Sequence, residues 1–182
     1  DHGGLGGDNA IEGAPGNYAN CDCVTTTTIC SPDASALTAE ITGFGVFATK
    51  YIEAGTITWI QDKIDHIIHT KDIQNYTQLE RTELEKYGYI NSTGEYVVCW
   101  DHGKYINHSC SPNVLSTGFG LDIAVADIET GDQLLTDYAC LNLESSFLCR
   151  CSSTSCRNTI DSVNTDELIM SWDQKIREVI SK

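Results

Sequence analysis

Cysteine spacing constrains this chain more than any other feature. Cys149, Cys151 and Cys156 follow the pattern C-x-C-x4-C near the C-terminus. A structural zinc ion takes four ligands in a tetrahedral array, so this trio is one short. The thiol of Cys110, inside Tyr105-Ile-Asn-His-Ser-Cys-Ser-Pro-Asn113, is the natural fourth. An ion shared by Cys110, Cys149, Cys151 and Cys156 would pin the tail onto the Asn107-His108 segment, and a pocket must form where the two meet. The competing reading is a secreted disulfide scaffold, which nine cysteines in 182 residues would suit. Against it stand the odd count, the chain length and the ligand-like spacing. Cys21, Cys23 and Cys30 form a looser C-x-C-x6-C group with no clear fourth ligand, and Cys99 and Cys140 read as small buried residues.

The rest of the chain reads as short extended segments with two helices. Thr42-Gly43-Phe44-Gly45-Val46-Phe47-Ala48 is a glycine turn leading into a strand, and Ile52 to Ile60 is a turn followed by a second strand. Thr77-Gln78-Leu79-Glu80 is a capping box, which predicts a helix from about Gln78 to Tyr87. Tyr96–Trp100, Asp122–Ala126 and Gln133–Thr136 read as further strands. From Asp166 onward, Leu168, Ile169, Trp172, Ile176, Val179 and Ile180 recur at helical spacing, with Asn164 or Thr165 as the cap. Residues 1–20 are rich in Gly, Asn and Ala and read as a flexible arm or irregular cap. Trp59 and Trp100 read as core, and the acidic residues between 62 and 95 as a solvated face.

Composition bounds the function. With 41% hydrophobic and 20% charged residues the chain is globular and of single-domain size. No run approaches the ~20 apolar residues of a membrane span. The net charge of −15 should repel nucleic acid and draw cationic partners such as a Lys/Arg-rich peptide, although acidity also serves solubility alone. Gly43-Phe44-Gly45 lacks the third glycine and following helix of a dinucleotide fingerprint, and there is no Gly-Lys-Ser/Thr phosphate loop. No disulfide-dependent class is needed, so an intracellular setting, nucleus or cytoplasm, is the expectation.

These segments, in this order, resemble the SET-domain protein lysine methyltransferases, and among them the small stand-alone SET proteins with a zinc-binding post-SET tail. The resemblance runs from about Leu37 to Ile160. It rests on Gly43 to Ala48, Ile52 to Ile57, Lys104 to Asn113, Ile128 to Tyr138, and the terminal Cys149, Cys151, Cys156 set. It implies a mainly β fold with short helices, a β-clip-like arrangement of small antiparallel sheets around a threaded, pseudoknotted segment. It divides the chain into an irregular segment at 1–36, the SET domain at 37–143, the post-SET zinc segment at 144–160 and a C-terminal helix at 161–182.

The same resemblance implies S-adenosylmethionine in a cleft on one face and a lysine channel on the other. By similarity, Gly43, Phe44 and Gly45 would receive the methionine end, and Asn107 and His108 would hold the amino group and adenine. Phe147 would cover the adenine, a contact worth ~1 kcal/mol. Tyr138 would stand at the channel floor beside the cofactor and orient the target amine. The implied activity is protein-lysine N-methylation of a histone tail or another basic protein; the alternative is a catalytically inactive SET module that binds a basic partner. The chain departs from the family pattern at Thr136, where an aromatic residue is usual and where the residue influences how many methyl groups fit. It departs also at Lys104, where arginine is usual, and at Ser152 and Asn158, where glycine is usual.

Overall fold

No apolar stretch in this chain is long enough for an extended sheet, and the strands are correspondingly short. The structure, a computed structural model, describes residues 44–161 and 166–181. The N-terminal arm, Cys21, Cys23, Cys30, Gly43 and the proposed cap at Asn164 or Thr165 lie outside the described residues. In chain order come β1 (Ile57–Ile60), β2 (His66–Ile68), α1 (Gln78–Tyr87), β3 (Gly88–Ile90), β4 (Tyr96–Val98) and β5 (Asn107–His108). β6 (Val114–Ser116), β7 (Leu121–Ala124), β8 (Leu135–Thr136), β9 (Phe147–Leu148), β10 (Thr159–Ile160) and α2 (Asp166–Ile180) follow. Two antiparallel sheets have the orders β1-β7-β6 and β2-β4-β3, and β9 pairs with β10. β5 and β8 pair in parallel, Asn107 with Leu135 and His108 with Thr136. A parallel pair cannot be a hairpin, so the long connection 109–134 carries the chain from one strand back to the other.

The capping box forms as its sequence requires. The Thr77 N–H donates to the Glu80 carboxylate at 2.7 Å, and the Glu80 N–H donates to Thr77 Oγ1 at 3.3 Å. α1 then buries Leu84 against Ile68 and Tyr96. A second cluster, Val46, Ile52, Ile106, Val114, Ile128 and Leu134, lies beneath the segment leading into β5. A third consists of Ala139, Cys149 and Ile160, against which Tyr138, Phe147, Leu168 and Trp172 pack.

Several local expectations are corrected. The segment at Gly45–Ala48 makes one bridge, Phe47 to Gln133, rather than a full strand, and Ile52 likewise bridges only Ile128. The turn at Gly55, with φ of +98°, separates Ile52 from β1. A side chain there would stand 3.2 Å from the Val179 carbonyl, because α2 packs against this turn. Trp100 is 44% exposed rather than core; its indole N–H donates to Asp62 at 3.0 Å, which keeps the ring at the surface. Asp65 is buried rather than solvated, because its carboxylate accepts the N–H groups of Asp62 and Trp100 at 2.9 and 3.2 Å.

Candidate active site and metal centre

Residues 106–110 supply one side of the site. Asn107 Nδ2 donates to the Phe44 carbonyl at 2.9 Å, which ties the glycine segment to β5. A Cβ on Gly45 would come within 3.2 Å of that amide and 2.3 Å of Gln133 Nε2, a buried atom without a partner. Glycine is therefore what allows Phe44, Gly45 and Asn107 to lie together. Phe44 packs on Tyr105 with ring centroids 5.3 Å apart.

His108 joins the two halves of the site. Its Nδ1 accepts the Tyr138 N–H at 3.1 Å, and its Nε2 lies 3.4 Å from Cys110 Sγ. An imidazole nitrogen that accepts carries no proton, so in the neutral ring Nε2 bears the hydrogen. Burial pulls the His108 pKa below its ordinary value and favours that neutral form. His108 thus donates N–H to the Cys110 sulfur. Its ring lies 5.4 Å from that of Tyr138 and 5.6 Å from that of Phe147, and those two rings are 6.0 Å apart.

Tyr138 is held at both ends. Its N–H goes to His108, and its hydroxyl donates to the Ile106 carbonyl at 2.8 Å. Burial pushes the phenol pKa up to about 12, so the hydroxyl is protonated at neutral pH. Tyr138, Ile106, Thr136 and Phe147 wall a cavity of about 880 Å³, which extends to β3, Cys140 and the 116–120 turn. Phe44, Gly45, Asn107 and His108 do not line this cavity. Thr136 Oγ1 is buried and has no partner. Phe119, 89% exposed, stands on the cavity rim. The arrangement presents a fixed phenol, and its walls carry Glu85, Asp122 and Glu144 together with Lys86 and Lys104. A cavity with the unpaired Trp59 and Thr136 polar atoms in its walls suits a side-chain amine.

Beside the cavity, Asp101 is 8% exposed, and its Oδ2 has no partner. Burial pushes its carboxyl up to about 6. The folded chain then binds a proton that the unfolded chain releases near pH 3.9, so stability should fall as pH rises from about 4 to 6. Asp101→Asn removes this contribution. Its thermal unfolding temperature should fall less steeply than the wild type's across that window, and parallel curves would contradict the assignment.

The cysteines assemble at the other end of His108. Cys110, Cys149 and Cys151 sulfurs and a His108 ring nitrogen all lie within 4.8 Å of one another. Cys156 belongs to the same buried cluster, with its sulfur 4.0 Å from the Cys149 carbonyl. Cys110 Sγ and Cys149 Sγ are 3.8 Å apart. Zinc–sulfur bonds of ~2.3 Å in a tetrahedron require sulfur–sulfur edges of ~3.8 Å. Backbone N–H groups point at the sulfurs: Cys110 at Cys151, Arg157 at Cys110 and Asn158 at Cys156, at 3.5, 3.4 and 3.4 Å. Such donors favour thiolates. Burial raises the Cys151 thiol, but N–H donors from Cys110 and Ser153 outweigh it and bring the pKa down to about 6, while burial pushes its neighbour Cys149 up to about 12, so one proton stays on the pair until a cation replaces it. The donor set fits zinc. Because His108 uses its Nε2 hydrogen toward Cys110, Cys156 is the better candidate for fourth ligand. Ser152 and Asn158 have φ of +57° and +64°, the left-handed region in which glycine is unstrained.

Sequence reasoning missed Asp137, Arg157 and Trp172. Asp137 is 1% exposed; its carboxylate accepts from Arg157 Nη2, from the Ala139 N–H at 3.1 Å and from Trp172 Nε1 at 3.2 Å. The one available signal was an acidic residue immediately before Tyr138.

A family model described as "SET domain" matches residues 43–139, more than half of the chain. A "Variant-silencing SET domain-containing protein" of Plasmodium falciparum (isolate 3D7) is 29% identical over 136 residues, which is 65% of this chain and 5% of that protein. The chain therefore spans a small part of that relative. Among solved structures, the methyltransferase domain of human histone-lysine N-methyltransferase SETMAR aligns with a TM-score of 0.49 and 20% identity, over 68% of this chain and 56% of that one. KRYPTONITE in complex with mCHG DNA and SAH aligns at 0.48 and 19%, over 68% and 28%.

Proposed function

Because the chain belongs to the SET domain family, we propose that it is an S-adenosylmethionine-dependent protein-lysine N-methyltransferase that acts on a histone tail or another basic protein. The observation that carries this reading is the fixed Tyr138 hydroxyl in the wall of a cavity whose floor also holds an unpaired Thr136 hydroxyl. Phe44, Gly45, Asn107 and His108, which lie outside that cavity, with Tyr138 and Phe147, which line it, are the described residues that would hold the methyl donor. When bound, the donor supplies a methyl group on a positively charged sulfur.

The chain's own task is to present a neutral amine in line with that carbon. A free lysine side chain has a pKa near 10.4 and is neutral in only about one molecule of a few thousand at pH 7. The net charge of −15 draws the ammonium toward the chain, and the buried walls formed by Ile106 and Tyr138 then disfavour its charge, so the proton leaves to solvent. The Tyr138 oxygen orients the nitrogen lone pair. Holding reactants in a near-attack geometry supplies much of the rate. Thr136 is smaller than the aromatic ring usual at that position, so either added methyl groups or another ring takes up the difference, and counting the methyl groups on the product decides between them.

The test is incubation of the full chain with radiolabelled methyl donor and lysine-containing basic peptides, with mass spectrometry to locate and count the methyl groups. Lysine methylation that Asn107→Ala removes is the expected result. Peptide binding with no calorimetric affinity for the donor or its demethylated product would instead indicate an inactive binding module.

A further inference from the structure

We propose that Asp137 and Trp172 are positioning residues through which α2 holds the Tyr138 hydroxyl in place, an assignment that rests on the reading of Tyr138 as the catalytic group. α2 lies wholly outside residues 43–139, which match the family model. It nevertheless reaches the centre of the site. Asp137 Oδ2 accepts the Trp172 indole N–H at 3.2 Å, while Oδ1 accepts from Arg157 and from the Ala139 N–H. Oδ1 also stands 3.7 Å from His108 Nδ1, beyond hydrogen-bond reach of an atom already committed to Tyr138.

The consequences run through the backbone. Asp137 caps the 3-10 turn Tyr138–Leu141, and its own carbonyl accepts the Cys140 N–H at 3.1 Å and the Cys140 thiol at 2.8 Å. The orientation of this one residue therefore fixes the start of the turn on which Tyr138 sits. A carboxylate buried this deeply must have each oxygen satisfied. Removing the indole N–H leaves Oδ2 unpaired, and the turn must shift or admit water to repair it. Such a shift moves the Tyr138 hydroxyl away from the Ile106 carbonyl. Leu168, one turn earlier on α2, packs against the same cluster through an aliphatic side chain. It provides a packing change with no loss at the carboxylate.

The experiment compares the full chain with Trp172→Phe, Leu168→Ala and Asp137→Asn. With methyl donor and a lysine peptide, Trp172→Phe should lower kcat about tenfold and change the peptide KM less than about twofold. Leu168→Ala should lower the unfolding temperature at least as much and leave kcat within about twofold. Without any turnover, the Trp172 indole proton, identified by its loss in Trp172→Phe, should exchange slowly in the wild type and become fast and shifted in Asp137→Asn. An active wild type with undiminished kcat in Trp172→Phe overturns the proposal and leaves the reading of Tyr138 standing. So does a loss of kcat that merely follows the loss of stability in both α2 variants. A wild type that transfers no methyl group overturns both.

Discussion

Tyr138→Phe should lower kcat for lysine methylation by about a hundredfold or more, the cost typical of removing one preorganised polar contact from a reacting centre. The variant keeps the ring, so its packing against His108 and Phe147 survives. It loses only the hydroxyl that donates to Ile106 at 2.8 Å. Burial holds the phenol pKa at about 12, so at neutral pH the group cannot act as a base, and the role proposed for it is to orient the amine. Calorimetric affinity for the demethylated donor should therefore stay within a few-fold of wild type while turnover collapses. The pH–rate profile of the wild type should climb with deprotonation of the substrate amine and show no limb from a tyrosinate near neutrality. Equal methyl incorporation by Tyr138→Phe and wild type would remove Tyr138 from the chemistry.

What the sequence made legible was local or carried by motifs. The Thr77–Glu80 box set the start of α1 because both of its hydrogen bonds close within four residues. The segment 105–113 and the spacing of Cys149, Cys151 and Cys156 pointed to one region, and Cys110, Cys149 and Cys151 converge there. The interior carboxylate was not legible. Asp137 finds Arg157 at a separation of 20 residues and Trp172 at 35, and no periodicity relates an acid in a turn to an indole on a distant helix. Trp100 read as core from its hydrophobicity, yet a polar indole N–H and a nearby Asp62 let it remain outside. The departures at Ser152 and Asn158 became intelligible only through backbone angles. Both positions require positive φ, which explains why glycine suits them and why asparagine is tolerated at the second. The side of the chain on which the cavity opens was also hidden, because it depends on which way successive side chains of the segment 106–108 point.

If the cysteine cluster holds zinc, as its donor set suits, removing the ion should have the second large effect. The segment from Phe147 to Ile160 contains two strands of two residues each, and its buried apolar contacts centre on Cys149 and Ile160. Such a segment has little core of its own. Apparent binding energies of structural zinc are about 10–16 kcal/mol, comparable to the ~5–15 kcal/mol that stabilises a whole domain. With the ion gone, Cys110, Cys149 and Cys151 would crowd their sulfurs with no charge to hold them together. The purified chain should release about one equivalent of zinc to a strong chelator. Trypsin should then cut at Arg150 and Arg157 well before it cuts elsewhere. Because Phe147 touches both His108 and Tyr138, affinity for the demethylated donor should fall at least about tenfold in the same titration. Substitutions decide the ligand set. Cys149→Ser and Cys156→Ser should both lose zinc, whereas His108→Asn should keep the metal although it loses the N–H to Cys110 and the acceptor of the Tyr138 N–H. Cys140→Ser, which alters a thiol facing the cavity instead, should retain a full equivalent. Zinc retained by Cys156→Ser and lost by His108→Asn would mean that the imidazole binds the ion directly. In that case the hydrogen placed on Nε2 by the Tyr138 contact is on the wrong atom, and the link from the metal centre to the turn bearing Tyr138 would have to run through the coordination bond itself.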